Sequence, residues 1–275
     1  LADNIWDYSR DDIPEAWRLI GEDPRDDVRA PQFAQLVRAF MPDVLDLQEY
    51  SLHMHQRFYP LIRRYGYRIA YEGEEPWNNT PIFYNPETVE LVDVNYVLYA
   101  PSCWSNIGSK SYTSAVFRKK DTGRLFAVVN THLWWKSEAA QPGSTYARAA
   151  QVRLMMAEAE VLKNKYGCTI FVTGDMNAYE DSLPIRQFIE GGYTPCYKAA
   201  TDATDNGNGH HICGPKDGYS RTSRRRSPDR EKGAIDHCFI YNAQEGVAVK
   251  AFDCITARFT VKLTDHYPYL IDAAL

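Results

Sequence analysis

In Thr169-Ile170-Phe171-Val172-Thr173-Gly174-Asp175-Met176-Asn177 an apolar run meets two short polar side chains. Thr169 to Val172 are β-branched or aromatic, the composition of a buried strand. The run breaks at Gly174 and delivers Asp175 and Asn177 where the strand ends. In layered α/β proteins chemistry collects at strand ends and in the loops beyond them. The two residues share a face if the chain stays extended. Their oxygens suit a hard divalent cation, or a water and a phosphate oxygen. A strand ending in Gly-Asp also makes a plain turn, so this stretch alone leaves both readings open.

Outward from it, strands alternate with helices or hairpins. Ala149, Val152, Met156, Ala159 and Leu162 predict a helix over 145–165. Residues 111–118 and 125–132 read as strands joined by the polar hairpin Lys119-Lys120-Asp121-Thr122-Gly123. Pro31 suits the first turn of a helix over 31–40, whose stripe is Phe33, Leu36, Val37 and Phe40. A strand over 43–49 follows, with Glu49 at its end. A helix starts near Met54 and turns Phe58, Leu61 and Ile62 inward. After a short strand at 67–70, residues 81–84 and 89–92 read as a strand pair around the Asn85-Pro86 turn. Residues 96–110 are an excursion. Beyond Asn177 come a short helix over 183–189 capped by Ser182, a long polar loop at about 197–232, strands over 234–241 and 247–252, and a final short strand. No linker composition divides the chain. The expectation is one α/β domain over 1–275 with a mixed sheet arrangement.

Hydrophobic content of 44% and charged content of 24% are those of a soluble globular protein. The 19 Tyr and six Trp suggest an aromatic-lined cleft or face. A formal charge of -5 does not imply whole-molecule steering toward nucleic acid. No apolar run approaches the roughly 18 residues of a membrane span, and the expectation is a monomer. The abrupt opening Leu1-Ala2-Asp3-Asn4-Ile5-Trp6 suits a secreted or periplasmic protein whose signal peptide is absent from this sequence; no other address is legible. The six Cys lack close Cys-x-x-Cys pairs. Cys168 and Cys238 lie in apolar strands and read as buried small hydrophobes. Cys196 and Cys213, in a loop region, are the pair suspected of bridging.

Glu49, His132, Asp175, Asn177, Asp236, Asp265 and His266 each end or interrupt an apolar run. Singly each has a bland explanation: a solvent-facing Glu, a hydrogen-bonded structural His. Asp236 is harder to dismiss, because a carboxylate among apolar residues needs a cation, metal or hydrogen-bond partner. Together they suggest a carboxylate, imidazole and carboxamide cluster. Phosphate-ester hydrolysis wants this set. Mg²⁺ or Mn²⁺ takes oxygen ligands, a water nucleophile needs a base near neutrality, and the charge growing on phosphorus oxygens needs donors.

In order along the chain, these motifs resemble the endonuclease/exonuclease/phosphatase superfamily, the fold of pancreatic-type deoxyribonuclease. The likeness rests on Asn4 in Asn-Ile-Trp, Glu49 in Asp46-Leu47-Gln48-Glu49, and His132 in Asn130-Thr131-His132-Leu133. It continues through Gly174-Asp175-Met176-Asn177, Ile235-Asp236-His237 and Thr264-Asp265-His266-Tyr267-Pro268. The resemblance implies a four-layer sandwich, two face-to-face mixed β-sheets flanked by helices. It implies that Glu49 binds Mg²⁺ (or Mn²⁺) with help from Asn4 and Asp265. His266, polarised by Asp236, would take the proton from the attacking water, and Asp175 would orient that water. Asn177 and His132 would hold the phosphate oxygens. One departure stands out: some relatives pair the histidine of Asn-Thr-His with a Glu, and the matching position here is Asn78, with Glu74 or Glu75 nearby.

The resemblance implies a phosphodiesterase or nuclease, acting on a phosphoester that could be DNA or RNA. The alternatives are a sphingomyelinase-like or other phospholipid or small-molecule phosphoesterase, and a non-catalytic binding protein on the same fold. Arg148, early in its helix, is a candidate phosphate contact. Trp134, with Trp135, is a candidate to stack on a base or simply to pack. Arg221, Arg224, Arg225, Arg226, Arg230 and Lys232 form either a phosphate-binding rim or a solvated loop. His210-His211 read as a plain polar loop sooner than as a second metal site.

Overall fold

A computed structural model describes residues 1–7, 23–73, 77–99, 110–204, 234–255, 260, 263–264 and 266–275. Thirteen strands and five helices are seen among them. The strands are β1 (Ala2–Asn4), β2 (Val44–Gln48), β3 (Arg68–Ile69), β4 (Ile82–Tyr84), β5 (Val89–Leu98), β6 (Ser111–Lys119), β7 (Leu125–His132), β8 (Thr169–Asp175), β9 (Thr194–Pro195), β10 (Asp202–Thr204), β11 (Asp236–Tyr241), β12 (Ala248–Cys254) and β13 (Tyr269–Ala274). The helices are α1 (Asp26–Phe40), α2 (Leu52–Arg63), α3 (Ser144–Tyr166), α4 (Leu183–Glu190) and α5 (Cys196–Ala199).

One sheet has the order β10-β12-β13-β1-β2-β4-β3, the other β5-β6-β7-β8-β11-β9. Both are mixed: β1 runs parallel to β2 and β7 parallel to β8, while β11 is antiparallel to β8. Three apolar clusters define four layers. Phe33, Val37, Phe58 and Ile62 of α1 and α2 pack on Leu45, Leu47 and Phe83. Val152, Met155, Ala159, Ile185 and Phe188 of α3 and α4 pack on Val129, Ile170 and Val172. Between the sheets lie Val44, Ile82, Val128, Phe171, Cys238 and Phe252. This is the four-layer α/β sandwich that the alternation and the resemblance imply. No helix among the described residues is long and apolar enough to cross a membrane.

The period of two explains which side chain goes where. On β2, Leu45 and Leu47 turn to the helices, so Asp46 and Gln48 turn to the other sheet. There Thr173 Oγ1 donates to Asp46 Oδ2 at 2.9 Å and Gln48 Nε2 to Asn130 Oδ1 at 2.7 Å. The Tyr269 hydroxyl accepts from Gly174 N at 2.9 Å and donates to His237 O at 2.8 Å. Buried polar groups thus pair across the interface and fix the two sheets against each other.

Three expectations change. The segments at 81–84 and 89–92 do not pair. β4 bonds to β2 and β3, whereas β5 bonds to β6 and runs on to Leu98. Asn85 Oδ1 accepts from Glu87 N at 3.0 Å, a local turn that carries the chain from one sheet to the other. That crossing lets Tyr84 and Val89 enter the inter-sheet core from opposite sides. The first helix begins at Asp26, so Pro31 lies inside it. Ser182 stands before α4 but makes no cap bond; its Oγ donates to Tyr179 O. Cys168 and Cys238 are buried, as expected, and so is Cys196. Cys213 lies outside the described residues.

Candidate active site

Five loop or strand ends meet at one edge of the sandwich. Parallel pairing brings β1 and β2 to end side by side at Asn4 and Gln48, and β7 and β8 at His132 and Asp175. Antiparallel β11 begins there, with Asp236 facing Asp175 in register. Gly174 permits the close approach of β7 and β8. It has φ +135°, and a Cβ would sit 2.0 Å from Thr131 O.

Asp175 is the hub. Its Oδ2 accepts from Asn4 Nδ2 at 2.9 Å and lies 3.5 Å from His132 Nε2 and 3.9 Å from His266 Nε2. Its Oδ1 accepts from Asn177 N at 2.9 Å. His266 Nδ1 and Asp236 Oδ2 are 2.8 Å apart, both side chains under 10% exposed. Glu49 is half-buried. Its Oε1 accepts from Asn4 Nδ2 at 3.2 Å, its Oε2 from Asp7 N at 2.9 Å, and Oε1 is 3.9 Å from His132 Nε2. Ligand atoms of Glu49, His132 and Asp175, and of Asp175, Asp236 and His266, form two groups that could hold a metal ion. Asn4 turns its NH₂ to the two carboxylates, while its Oδ1 accepts from Trp6 N at 3.0 Å.

Asp175 and Asn177 do not share an extended face. The strand stops at Asp175, and Asn177 turns left-handed, with φ 47°. Glu49 does the same, with φ 56°. Non-glycine residues held in this region cost energy and persist where their surroundings over-determine them. Asn177 Nδ2 donates to Leu133 O at 3.2 Å, and Leu133 N to Asp175 O at 2.9 Å. The turn and the polar pair, left open by the sequence, are one structure.

The electrostatics are uneven. Burial raises the Glu49 pKa, but His132, Lys110 and the Asp7 N–H outweigh it and hold the carboxyl at about 2. Burial opposes ionisation of Asp175 as well, yet His266, His132 and Lys110 hold it below the usual range. Burial first, then the Lys110 charge, lowers His132 to about 4 against the pull of Asp175 and Glu49. Lys110, itself buried, places Nζ 2.5 Å from His132 Nε2 and 3.0 Å from Nδ1. No sequence motif marks Lys110. The available signal was position: it precedes Ser111, which faces His132 in the β6–β7 ladder.

Arg148 and Trp134 stand behind this cluster. Arg148 Nη1 donates to Trp134 O at 3.1 Å and Lys136 O at 2.7 Å. Trp134 is buried, with Nε1 donating to Ser144 Oγ at 3.1 Å and its backbone N to Gln151 Oε1 at 2.9 Å. The exposed ring is Trp135, 55% accessible, with Lys136 Nζ 5.6 Å from its centroid. Asn78 is buried and bonds to Tyr71 O and Thr113 Oγ1, and its Oδ1 accepts from Thr80 N. Asp265, Glu74, Glu75, His210-His211 and the basic residues 221–232 lie outside the described residues. Arg29, which no sequence motif marks, is fully buried. It donates to Ile5 O, Trp6 O and Leu263 O and pairs with Asp26 at 2.6 Å. It ties the segment after Asn4 to the one before His266.

Solved structures share this architecture. An endonuclease/exonuclease/phosphatase from Bacteroides vulgatus is 21% identical with a TM-score of 0.72, over 100% of this chain and 97% of that one. A mannosyl-6-phosphatase from Bacteroides thetaiotaomicron is 18% identical with a TM-score of 0.74, over 100% and 98%. The human Nocturnin catalytic domain with bound sulfate is 19% identical with a TM-score of 0.65, over 89% and 86%. At these identities the likeness is one of fold. No curated protein sequence matches the chain. The sequence profile of the Endonuclease/Exonuclease/phosphatase family matches residues 19–266. A match through most of the chain, on this sandwich and around two metal-capable groups, means that the protein belongs to the endonuclease/exonuclease/phosphatase family, whose site is of the metal-dependent phosphoesterase kind.

Proposed function

We propose that the protein is a Mg²⁺- or Mn²⁺-dependent phosphodiesterase, a nuclease in its simplest form, that attacks phosphorus with a histidine-activated water. The observation that carries this is the Asp236–His266–Asp175 line beside Glu49. Two carboxylates held ionised suit a hard divalent cation; the Asn4 NH₂ between them is a donor and orients both carboxylates, with its Oδ1 turned away to Trp6 N. Glu49 would hold the cation, with Asp265 as the further ligand that the family resemblance implies; the expected part of Asn4 changes from ligand to a donor that positions Glu49 and Asp175. When bound, the ion supplies a Lewis acid for the phosphoryl oxygen.

The side chains do the rest. Asp236 fixes the tautomer of His266 and leaves Nε2 as base. Asp175 accepts a hydrogen bond from the water that loses its proton to Nε2. His132 and Asn177 donate to the non-bridging oxygens. The test is a panel of bis-p-nitrophenyl phosphate, DNA, RNA, sphingomyelin and phosphomonoesters, with Mg²⁺ and with EDTA. Hydrolysis should need the metal and fall roughly 10³-fold or more in Glu49→Gln. No turnover of any of these substrates would sink the reading.

Lys110 favours a second reading, a phosphomonoesterase. An extra buried cation at the phosphate-holding histidine suits a dianion better than the single charge of a diester. The full-length likeness to a mannosyl-6-phosphatase supports it. A higher kcat/KM on p-nitrophenyl phosphate than on its diester would replace the first reading with this one.

A further inference from the structure

Cys196 takes no part in the site. It is the first residue of α5, directly after the two-residue edge strand β9. β9 pairs antiparallel with β11 through Phe239–Pro195 and Ile240–Thr194. One step further along this register sets Cys238 opposite Cys196. Both are free thiols in this structure: Cys238 Sγ donates to Cys196 Sγ at 2.9 Å, and both side chains are buried in the inter-sheet core. Facing residues of an antiparallel pair hold their Cα atoms about 4.5–5.5 Å apart. A disulfide spans roughly 4.4–6.8 Å. The pair belongs to neither metal-capable group.

We propose that Cys196 and Cys238 form a cross-strand disulfide that staples β9 to β11. Cys196 is suspected from sequence of bridging to Cys213; the geometry assigns it to Cys238. A ladder of two residue pairs holds an edge strand weakly, and a covalent tie there restricts the unfolded chain between 196 and 238. The co-reactant is a small-molecule disulfide such as oxidised glutathione. One protein thiolate attacks it, giving a mixed disulfide and one glutathione thiol. The second protein sulfur displaces the other glutathione. Two electrons pass from the protein sulfurs to the glutathione sulfurs, and both protons leave with the products. Both sulfurs being buried, the bond closes as the chain folds.

The test is to refold the full chain with oxidised glutathione or with dithiothreitol, alkylate, digest with trypsin and map by mass spectrometry. The expected product under oxidation is peptide 187–198 linked to peptide 233–250, absent after reduction. The oxidised protein should melt roughly 5–10 °C higher than the reduced one, and Cys196→Ser should abolish the difference. Alkylation of both cysteines in the oxidised sample, or linkage of Cys196 to Cys213, would overturn the assignment. Should Cys196→Ser not fold, the wild-type map decides alone.

Discussion

The two imidazoles on either side of Asp175 stand in opposite settings. His266 has a carboxylate, Asp236, 2.8 Å from Nδ1; His132 has a cation, Lys110 Nζ, 2.5 Å from Nε2 and 3.0 Å from Nδ1. A carboxylate behind a ring favours its taking a proton. Burial first, and then an ammonium beside the ring, do the reverse, and the His132 pKa is lowered to about 4. On the proposed mechanism, one fold divides two like residues into a base and a fixed hydrogen-bonding group. The difference comes from what the neighbouring strand places behind each ring.

The sharpest way to break this division is to remove each ring. His266→Ala should lower kcat by roughly 10³–10⁴, and Asp236→Asn by somewhat less. His132→Ala should cost about 10–100-fold, the loss of one oxygen contact. Equal losses at the two histidines, measured on the same phosphoester with saturating Mg²⁺, would mean that they share one role.

Next in size is the frame that holds the His266 half. Arg29 bonds three carbonyls flanking Asn4 and His266, and its partner Asp26 is as buried as it is. Arg29→Met should lower unfolding stability by about 3–5 kcal/mol, because Asp26 keeps its charge and loses its main partner. Urea denaturation reads this directly. A loss below about 1 kcal/mol would show that the half is held by the strands alone.

Lys110 is the lever on the other half. Lys110→Met should raise the His132 pKa from about 4, since a like charge is removed while burial remains. Imidazole NMR titration of the metal-free protein would follow it. Activity should drop about 10–100-fold on a phosphomonoester and less on a diester. A His132 titration unmoved by the substitution would break the electrostatic half of the comparison.

These contrasts also mark what the sequence could say. Residues that end strands were legible: Glu49, His132, Asp175 and Asp236 sit at apolar-to-polar breaks, and the ladders bring them together. The layers were legible because apolar period follows burial. Lys110 and Arg29 were not. Each acts through contacts with residues distant in sequence, and no local pattern separates such a basic residue from a solvated one. The β4–β5 crossing was hidden for a related reason. A turn at Asn85-Pro86 looks alike whether the next strand folds back or passes to the other sheet. Trp134 and Trp135 were indistinguishable as neighbours; only the position of Ser144 and Gln151 on α3 decides that the first is buried.

The same contrast extends to carboxylates three residues apart. Against its burial, Glu49, just beyond β2, is held at about 2 by His132, Lys110 and the Asp7 N–H. Asp46, in mid-strand, has burial against it, offset in part by the Thr173 hydroxyl, and rises to about 6. A carboxyl whose folded pKa is raised binds protons more tightly folded than unfolded. Its effect is therefore a loss of stability as pH rises from about 4 through 6, the reverse of a salt-bridged Asp. Asp46→Asn removes this titration and keeps an oxygen for Thr173. The full shift corresponds to about 3 kcal/mol. The new NH₂ adds a buried donor that offsets part of it. The variant should fall about 1–2 kcal/mol below the wild type near pH 4 and exceed it by about 1–2 kcal/mol at pH 7, read from urea midpoints across that range. A difference independent of pH would show that Asp46 ionises freely, and that burial between the sheets sets no penalty at this position.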